Sequence, residues 1–491
     1  MRIAGRLRDA LRALPNLAMA SSGHPPALDD IFFPETHAEV LDPDVSLVIG
    51  NRGMGKTFWS LALADQALRP EIAKRYLGTR PLHLDDLDVT FGFSDAEGSR
   101  GAVSRALLES VPKRTPVELI WRAVVLRVLA PKIAHEIPGG FRELVVWIRN
   151  NPEEQSGLFR KADEVLSEKG SRVLLLFDQL DQLATDWSRI QELTQGLLKT
   201  ALAMKSYRSI KIKLFMRPDQ AESRQLFQFP DASKISGGSR VLTWRTADLY
   251  GLLFFEIIRF KDGKDAFAGV CENLDVDPQT LHPRLGSPTA LVGNPIYQGL
   301  AFDRIAGDAM GRGSKRGRPF TWIPTHLADG RGEIAPRTFL QVIKTAAEWD
   351  YPSSVVTAID FQGIQEGVRR ASSTRLSELE EDYPWVSSAL EPLRGLLVPC
   401  PISDITSRWI EAKTVQRIDS EYSGSSAPID LVLANLLSKE EEAADVLVKL
   451  MREIGVFEDR GRGRINLPDI FRVKAGILRK GGVTPQQRRR L

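Results

Sequence analysis

Val45-Ser-Leu-Val-Ile-Gly-Asn-Arg-Gly-Met-Gly-Lys-Thr-Phe58 is the most informative stretch of the chain. A mostly apolar, β-rich run, Val45-Ser-Leu-Val-Ile, enters a glycine-rich turn, and the turn opens a mostly apolar stretch expected to be a helix over Phe58–Leu68. Gly50, Asn51, Arg52, Gly53, Met54, Gly55, Lys56 and Thr57 match G-x-x-x-x-G-K-[ST]. Glycines let backbone N–H groups converge on phosphate oxygens without side-chain clash. The helix then offers its positive end to the same anion, with Phe58 in its first turn. Lys56 can reach the β- and γ-phosphates, and the Thr57 hydroxyl can ligate Mg2+. ATP and Mg2+ are therefore the expected cofactors.

Two more buried strands read clearly, Arg172–Phe177 and Ile210–Met216, with helical spacing of apolar residues over Val117–Leu129 and Arg189–Met204. Strands spaced by helices point to a parallel sheet with crossover helices, an α/β P-loop core. The second strand ends on Asp178, where a carboxylate can lie beside the phosphate loop and hold Mg2+ together with Thr57. Gln179 follows, a residue that orients water but is a poor proton acceptor. Asp181 is either a second carboxylate of the site or a helix-start residue. Asp88 or Asp95, near a further strand, are alternative sources of a base. Nucleotide binding is thus the firmer expectation, and hydrolysis is expected to be slow or partner-stimulated.

Arg217 ends the third strand, at the same sheet edge as Asp178. It either meets a phosphoryl oxygen, for which a guanidinium fork is well suited, or pairs with Asp219 or Asp178. Arg337, in Pro336-Arg-Thr-Phe, opens an expected helix over Pro336–Trp349. It either contacts nucleotide from a lid or is an ordinary surface arginine.

The length of 491 residues implies roughly three domains. The expected division is a lead-in over 1–43, a P-loop core over 44–250, a helical lid and insert over 251–400, and a winged helix over 401–491. In the lead-in, Ile31-Phe-Phe-Pro-Glu-Thr-His is an edge strand or loop. The winged-helix expectation rests on a helix at Ile429–Leu437, a second from Glu440 to Ile454 with a Ser438/Glu441 capping box, and a glycine turn flanked by apolar residues over 456–467. Arg460, Arg462 and Arg464 lie on that turn, with Lys474, Arg479, Lys480 and Arg488–Arg490 near it. They either track a DNA backbone or belong to a solvated hairpin that makes protein contacts. Gly311-Arg-Gly-Ser-Lys-Arg-Gly-Arg-Pro is a second basic loop. The acidic run from Leu376 to Trp385 is a solvated helix face or a partner surface. Trp121, Trp147, Trp187 and Trp349 read as core.

The net charge of +3 excludes a generally polycationic protein but not a local basic patch. Two cysteines form no disulfide framework, consistent with a reducing cytoplasm, the expected location. Six scattered histidines give no zinc spacing. No run of about 18 apolar residues occurs, so no membrane span or membrane partner is expected, nor is a signal peptide.

Taken together, Gly50–Thr57, Asp178-Gln-Leu-Asp181 and the strand end Arg217-Pro218 resemble the signal-transduction ATPases with numerous domains (STAND) and the related KAP-type P-loop ATPases of the ASCE division. Leu467-Pro-Asp-Ile-Phe-Arg with Arg479-Lys-Gly-Gly-Val resembles uncharacterised bacterial ATPases to which defence or conflict roles are ascribed. The resemblance covers 45–225 well and the rest loosely. It implies a nucleotide-controlled switch acting as a homo-oligomer or with a separate effector or sensor chain. Gln179 and Gln182 depart from commoner acidic positions, and no sensor repeats follow the winged helix. The alternative reading is a DNA-engaging ATPase.

Overall fold

The computed structural model describes residues 2–15, 23–95, 101–260, 262–272, 274, 281–282, 287–288, 290–311, 316–352, 356–422, 439–480 and 483–485. The chain divides into two compact units: a sheet unit, Met19–Thr243, and a helical unit made of Met1–Ala18 with Trp244–Leu491.

In the sheet unit β1 (Leu47–Ile49), β2 (Leu87–Phe91), β3 (Arg172–Phe177), β4 (Ile210–Met216) and β5 (Arg240–Val241) form one sheet in the order β2-β3-β4-β1-β5. Every neighbouring pair is parallel, so all five C-terminal ends share one edge. A parallel sheet is covered on both faces, and its strands read as apolar runs without alternation. Val173 to Phe177 are accordingly all fully buried. Helices Val117–Leu129 and Trp187–Met204 pack together on the sheet. The Trp121 indole donates to the Leu193 carbonyl at 2.7 Å, and its ring meets Phe177 edge-on. Asp186 caps the second helix by accepting from the Arg189 N–H, which moves its start to Trp187.

The expected helix over Phe58–Leu68 is instead two helices, Lys56–Ala64 and Leu68–Tyr76. Asp65 separates them: its carboxylate accepts from the N–H groups of Ala67 and Leu68 at 2.8 and 3.0 Å, and its own backbone is extended. Helices Phe141–Asn150 and Pro152–Glu168, which periodicity did not single out, complete the packing.

The lead-in does not behave as one segment. Residues 31–43 belong to the sheet unit as a loop with short helical turns rather than an edge strand. Lys213, fully buried in the middle of β4, donates to the carbonyls of Val40, Asp42 and Val45 at 2.7–2.9 Å. Burial pushes its ammonium down to about 7, against the pull of Asp42 and Asp44. Lys213→Met leaves those acceptors unpaired and is expected to cost about 2–4 kcal/mol of stability. The unfolded chain keeps this proton up to about 10.5. It therefore binds more protons than the native state between these values, and wild-type stability rises with pH there by up to about 1.4 kcal/mol per unit. Urea unfolding at pH 7 and 9 checks both points, since the methionine variant lacks the slope that Lys213 contributes.

The first helix, Arg2–Arg12, belongs to the helical unit. Arg8 donates to the carbonyls of Ala358 and Thr357, and Arg12 to that of Ala347. Helices Thr246–Arg259, Pro295–Ala306, Pro319–Leu327 and Pro336–Glu348 surround Tyr250, whose ring meets Phe302, Phe320 and Phe339 at 4.3–5.0 Å and whose hydroxyl donates to the Phe320 carbonyl. The acidic run closes helix Phe361–Asp382, with Leu376 and Leu379 turned into the core. Trp349 is 36 % exposed and is not core, because it lies past the end of its helix, whereas Trp121 is fully buried and Trp147 and Trp187 are partly buried.

Further along, strand Cys400–Pro401 joins the hairpin Glu458–Asp459/Arg464–Asn466 in a three-stranded antiparallel sheet. Helices Ile402–Glu411, Thr414–Tyr422 and Glu440–Glu453 lie between. The expected helix Ile429–Leu437 and Ser438 lie outside the described residues. Asp469 and Arg472 of the Leu467-Pro-Asp-Ile-Phe-Arg stretch form a fully buried ion pair, and Arg472 also donates to the carbonyls of Ile477 and Val483. That motif is therefore a structural knot that holds the chain on either side of the short strand Leu478–Arg479. No helix among the described residues is long and apolar enough to cross a membrane.

Candidate nucleotide site

The turn after β1 is anchored before it begins. The Gly50 N–H donates to the Met216 carbonyl at 3.0 Å, and the Leu242 N–H donates to the Ile49 carbonyl, so β4 and the segment after β5 grip the start of the loop from both sides. Gly53 and Gly55 take φ of 81° and 105°, a region costly for residues with a Cβ. Met54 between them is buried, and the Trp59 N–H donates to the Gly55 carbonyl as the helix begins. Phe58 meets Trp59 edge-on.

Lys56 returns over this loop. Its ammonium donates to the carbonyls of Gly50 and Asn51 at 2.6 and 3.0 Å. Burial lowers its pKa, Arg217 adds to the effect, and the acids Asp178, Asp181 and Asp219 oppose it. The Thr57 hydroxyl donates to the Asp178 carboxylate at 2.7 Å, joining two positions 121 residues apart. Burial pushes Asp178 above the ordinary carboxylate range, against the Thr57 hydrogen bond, the Lys56 charge and the Gln179 backbone. A buried carboxylate and a hydroxyl in contact are a hard-oxygen donor set that fits Mg2+ better than a softer metal. A cation there would hold the carboxylate ionised.

Beyond Asp178 the chain turns sharply. Gln179 adopts φ +55°, a left-handed conformation costing about 1–2 kcal/mol in a residue with a side chain. The short 3-10 turn Leu180–Gln182 follows, carrying Asp181. Arg217 bridges the acids: its Nε lies 3.3 Å from Asp219 and its Nη1 3.8 Å from Asp181. Of the pairings foreseen for Arg217, the one with Asp219 is present, with Asp181 added. The loop, Asp178, Asp181 and Arg217 thus come together at one sheet edge.

No protein-family model matches the chain, and no curated protein matches it. Similar solved structures include Cdc6p from Pyrobaculum aerophilum, 12% identical with a TM-score of 0.25, covering 86% of this chain and 83% of that one. The Aeropyrum pernix ORC1 protein in complex with DNA is 13% identical with a TM-score of 0.27, over 88% and 86% of the two chains. The Aeropyrum pernix ORC2 protein, in ADPNP–ADP complexes, is 10% identical with a TM-score of 0.26, over 94% and 92%. These likenesses are too distant to carry an argument about this chain.

The remaining candidates fall elsewhere. Asp88 pairs in register with Val173, five residues before Asp178, which puts it about 16 Å down the sheet at the opposite edge. There it is paired with Lys132. Asp88 is not a base for this site. Asp95 accepts from the Arg105 N–H and pairs with the Arg105 guanidinium at 2.8 Å. Arg337 lies in the helical unit, bridged at 2.6 Å to Glu378, which also binds Arg375.

On the hairpin, Arg460 pairs with Glu458 at 2.9 Å and Arg464 donates to the Pro399 carbonyl. Arg462 sits in the turn at φ +50°, exposed. Asp459 pairs with Arg452, so the hairpin carries acids among its arginines. Arg479 is drawn to Asp469. Arg488–Arg490 and residues 312–315 of the other basic loop lie outside the described residues.

Sequence reading missed a contact behind the loop. The Trp59 indole donates to His37 Nδ1 at 3.0 Å, and His37 Nε2 lies 3.0 Å from the Thr243 carbonyl. An indole only donates, so Nδ1 accepts and Nε2 carries the proton: His37 is a neutral imidazole. It ties the first turn of the loop helix to the last residue of the sheet unit. No local signal marks such a contact, because its members are far apart in sequence.

Proposed function

We propose that the chain is a Mg-ATP-binding ATPase in which nucleotide occupancy sets a conformational switch. The observation that carries the reading is the 2.7 Å contact of Thr57 with the buried Asp178 carboxylate, beside a partly buried Lys56. Lys56 gives a fixed positive charge to the β- and γ-phosphates, and the loop N–H groups and helix start take up the remaining phosphate charge. Thr57 and Asp178 hold Mg2+, which neutralises phosphate charge when bound. Arg217 reads the terminal phosphate. Asp181 and Gln179 are the groups available to orient an attacking water, and the absence of a glutamate at 179 makes basal turnover slow.

The wider reading is a STAND- or KAP-like switch of a multi-protein system, one form of which is antiviral defence. The C-terminal helices and hairpin act as a winged helix, and ATP changes self-association or the hold on an effector chain. Turnover and sedimentation with ADP and with ATP test this. Wild type should turn over slowly and change oligomer size with ATP, whereas equal sedimentation with both nucleotides removes the switch.

Three hairpin arginines favour a second reading, an ATPase that engages duplex DNA. The acids beside them favour a protein-contacting hairpin instead. On that basis Arg460/Arg462/Arg464→Glu should leave duplex affinity within about twofold of wild type. Binding that collapses in the variant, with a salt slope reduced by about 1 for each phosphate deprived of its arginine, would establish the DNA reading.

A further inference from the structure

We propose that Asp219, helped by Asp181, is a latch on Arg217 that only a terminal phosphoryl group displaces, so that the site separates nucleoside triphosphate from diphosphate by partner exchange at one guanidinium. The proposal rests on the nucleotide reading above and names the group that sets its selectivity.

The placement of Arg217 comes first. It follows Met216, the register partner of Ile49, and the Gly50 N–H is bonded to the Met216 carbonyl. Adjacent strands lie about 4.8 Å apart, so Arg217 leaves the sheet beside the first residue of the phosphate loop. The backbone there is fixed by the Gln220 side chain, which accepts from the Arg217 N–H at 3.3 Å.

Two of the acids around the Arg217 guanidinium pair with it unequally, through charge rather than a hydrogen bond at Nε. Asp219 is the nearer at 3.3 Å and its side chain is 12% exposed; Asp181 is at 3.8 Å and 39% exposed. Water screens the second contact more than the first. Lys56 feels the charges of Arg217, Asp181 and Asp219, so the latch and the phosphate-binding lysine share one electrostatic neighbourhood.

Lys56 feels Asp178, Asp181 and Asp219 as well as Arg217, so an entering phosphate chain competes with these acids for the two cations. A terminal phosphoryl group gains Arg217 by replacing one oxyanion partner with another. The guanidinium stays paired throughout, which avoids the cost of stranding a buried charge. A diphosphate ends one phosphoryl group short and leaves the latch closed. Arg217 is therefore in competition: the more firmly Asp219 holds it, the less triphosphate gains over diphosphate.

Asp219→Asn keeps the shape and removes the charge. The test is titration of the full-length chain, in Mg2+, with ADP and with a non-hydrolysable ATP analogue, reading the ratio of the two dissociation constants. Asp219→Asn should raise the preference for triphosphate about fivefold, because the unlatched fraction of Arg217 rises. Asp181→Asn should raise it by less. Arg217→Gln should remove most of the preference, and in that background Asp219→Asn should leave the ratio unchanged. Asp181→Asn provides the same reading if Asp219→Asn fails to fold. An unchanged ratio in both single variants, or the same change with Arg217 absent, overturns the latch while leaving nucleotide binding intact. Failure of wild type to bind either nucleotide takes down the nucleotide reading, and the latch with it.

Discussion

Lys56→Ala is expected to weaken ATP binding at least about 100-fold, as removal of a charge-assisted bond to two phosphates requires. The fold should survive. Desolvation lowers the pKa of the partly buried Lys56 ammonium, so the folded chain bears a cost for that charge. Its protein partners are the carbonyls of Gly50 and Asn51 in the adjoining loop. Titration of a fluorescent ATP analogue, read beside thermal unfolding, separates the two quantities. Equal affinity in Lys56→Ala and wild type would remove the phosphate-loop assignment. Weakened affinity with a much lower unfolding temperature would mean that Lys56 acts mainly in the fold.

Asp178→Asn is expected to lower Mg2+-dependent turnover on the order of several hundredfold, because a hard cation loses its anionic ligand and the transferring phosphoryl group loses the neutralisation the cation supplies. Asparagine still accepts from Thr57, so the local hydrogen bond survives the change. The metal dependence of binding should change in a characteristic way. Without Mg2+ the buried carboxylate repels phosphate, so metal-free ATP binding should be as strong as or stronger than in wild type. With Mg2+ the usual gain in affinity should vanish. Isothermal titration with and without Mg2+ measures both, and an undiminished Mg2+ effect in Asp178→Asn would place the cation elsewhere.

Both predictions concern residues visible in the chain before any coordinates. The glycine spacing, the Lys-Thr pair and the apolar strands on either side are local signals, since each records a demand that backbone geometry makes on a few consecutive residues. Asp178 was legible for the same reason: an acid that follows an uninterrupted buried strand must stand at a sheet edge. Arg217 was legible as a position but not as a contact, because the chain alone offers it both Asp178 and Asp219 as partners.

Other elements were not legible, for identifiable reasons. The Arg2–Arg12 helix joins the helical unit because Arg8 and Arg12 find backbone carbonyls some 335–350 residues away. Lys213 looks like an ordinary polar interruption in a strand, yet its ammonium organises the 40–45 turn. The Asp65 break in the loop helix was hidden because an acid near a helix end has several uses, and only the bonds to Ala67 and Leu68 choose among them.

Local pattern along the chain was enough to expect a glycine turn, between a buried strand and a helix, suited to phosphate, with Lys56, Thr57 and Asp178 as its chemical groups. Those are short-range facts, set by where a strand ends and which residues can bend. Which acids stand beside that turn depended on how the whole chain packs. Strand order and register carried Asp88 to the far edge, brought Asp181 and Asp219 onto Arg217, and put His37 behind Trp59. Parallel pairing joins residues far apart in the chain through hydrogen bonds that are alike at every position, so the choice of neighbour is made by packing of the whole sheet and leaves no mark on any single stretch of chain.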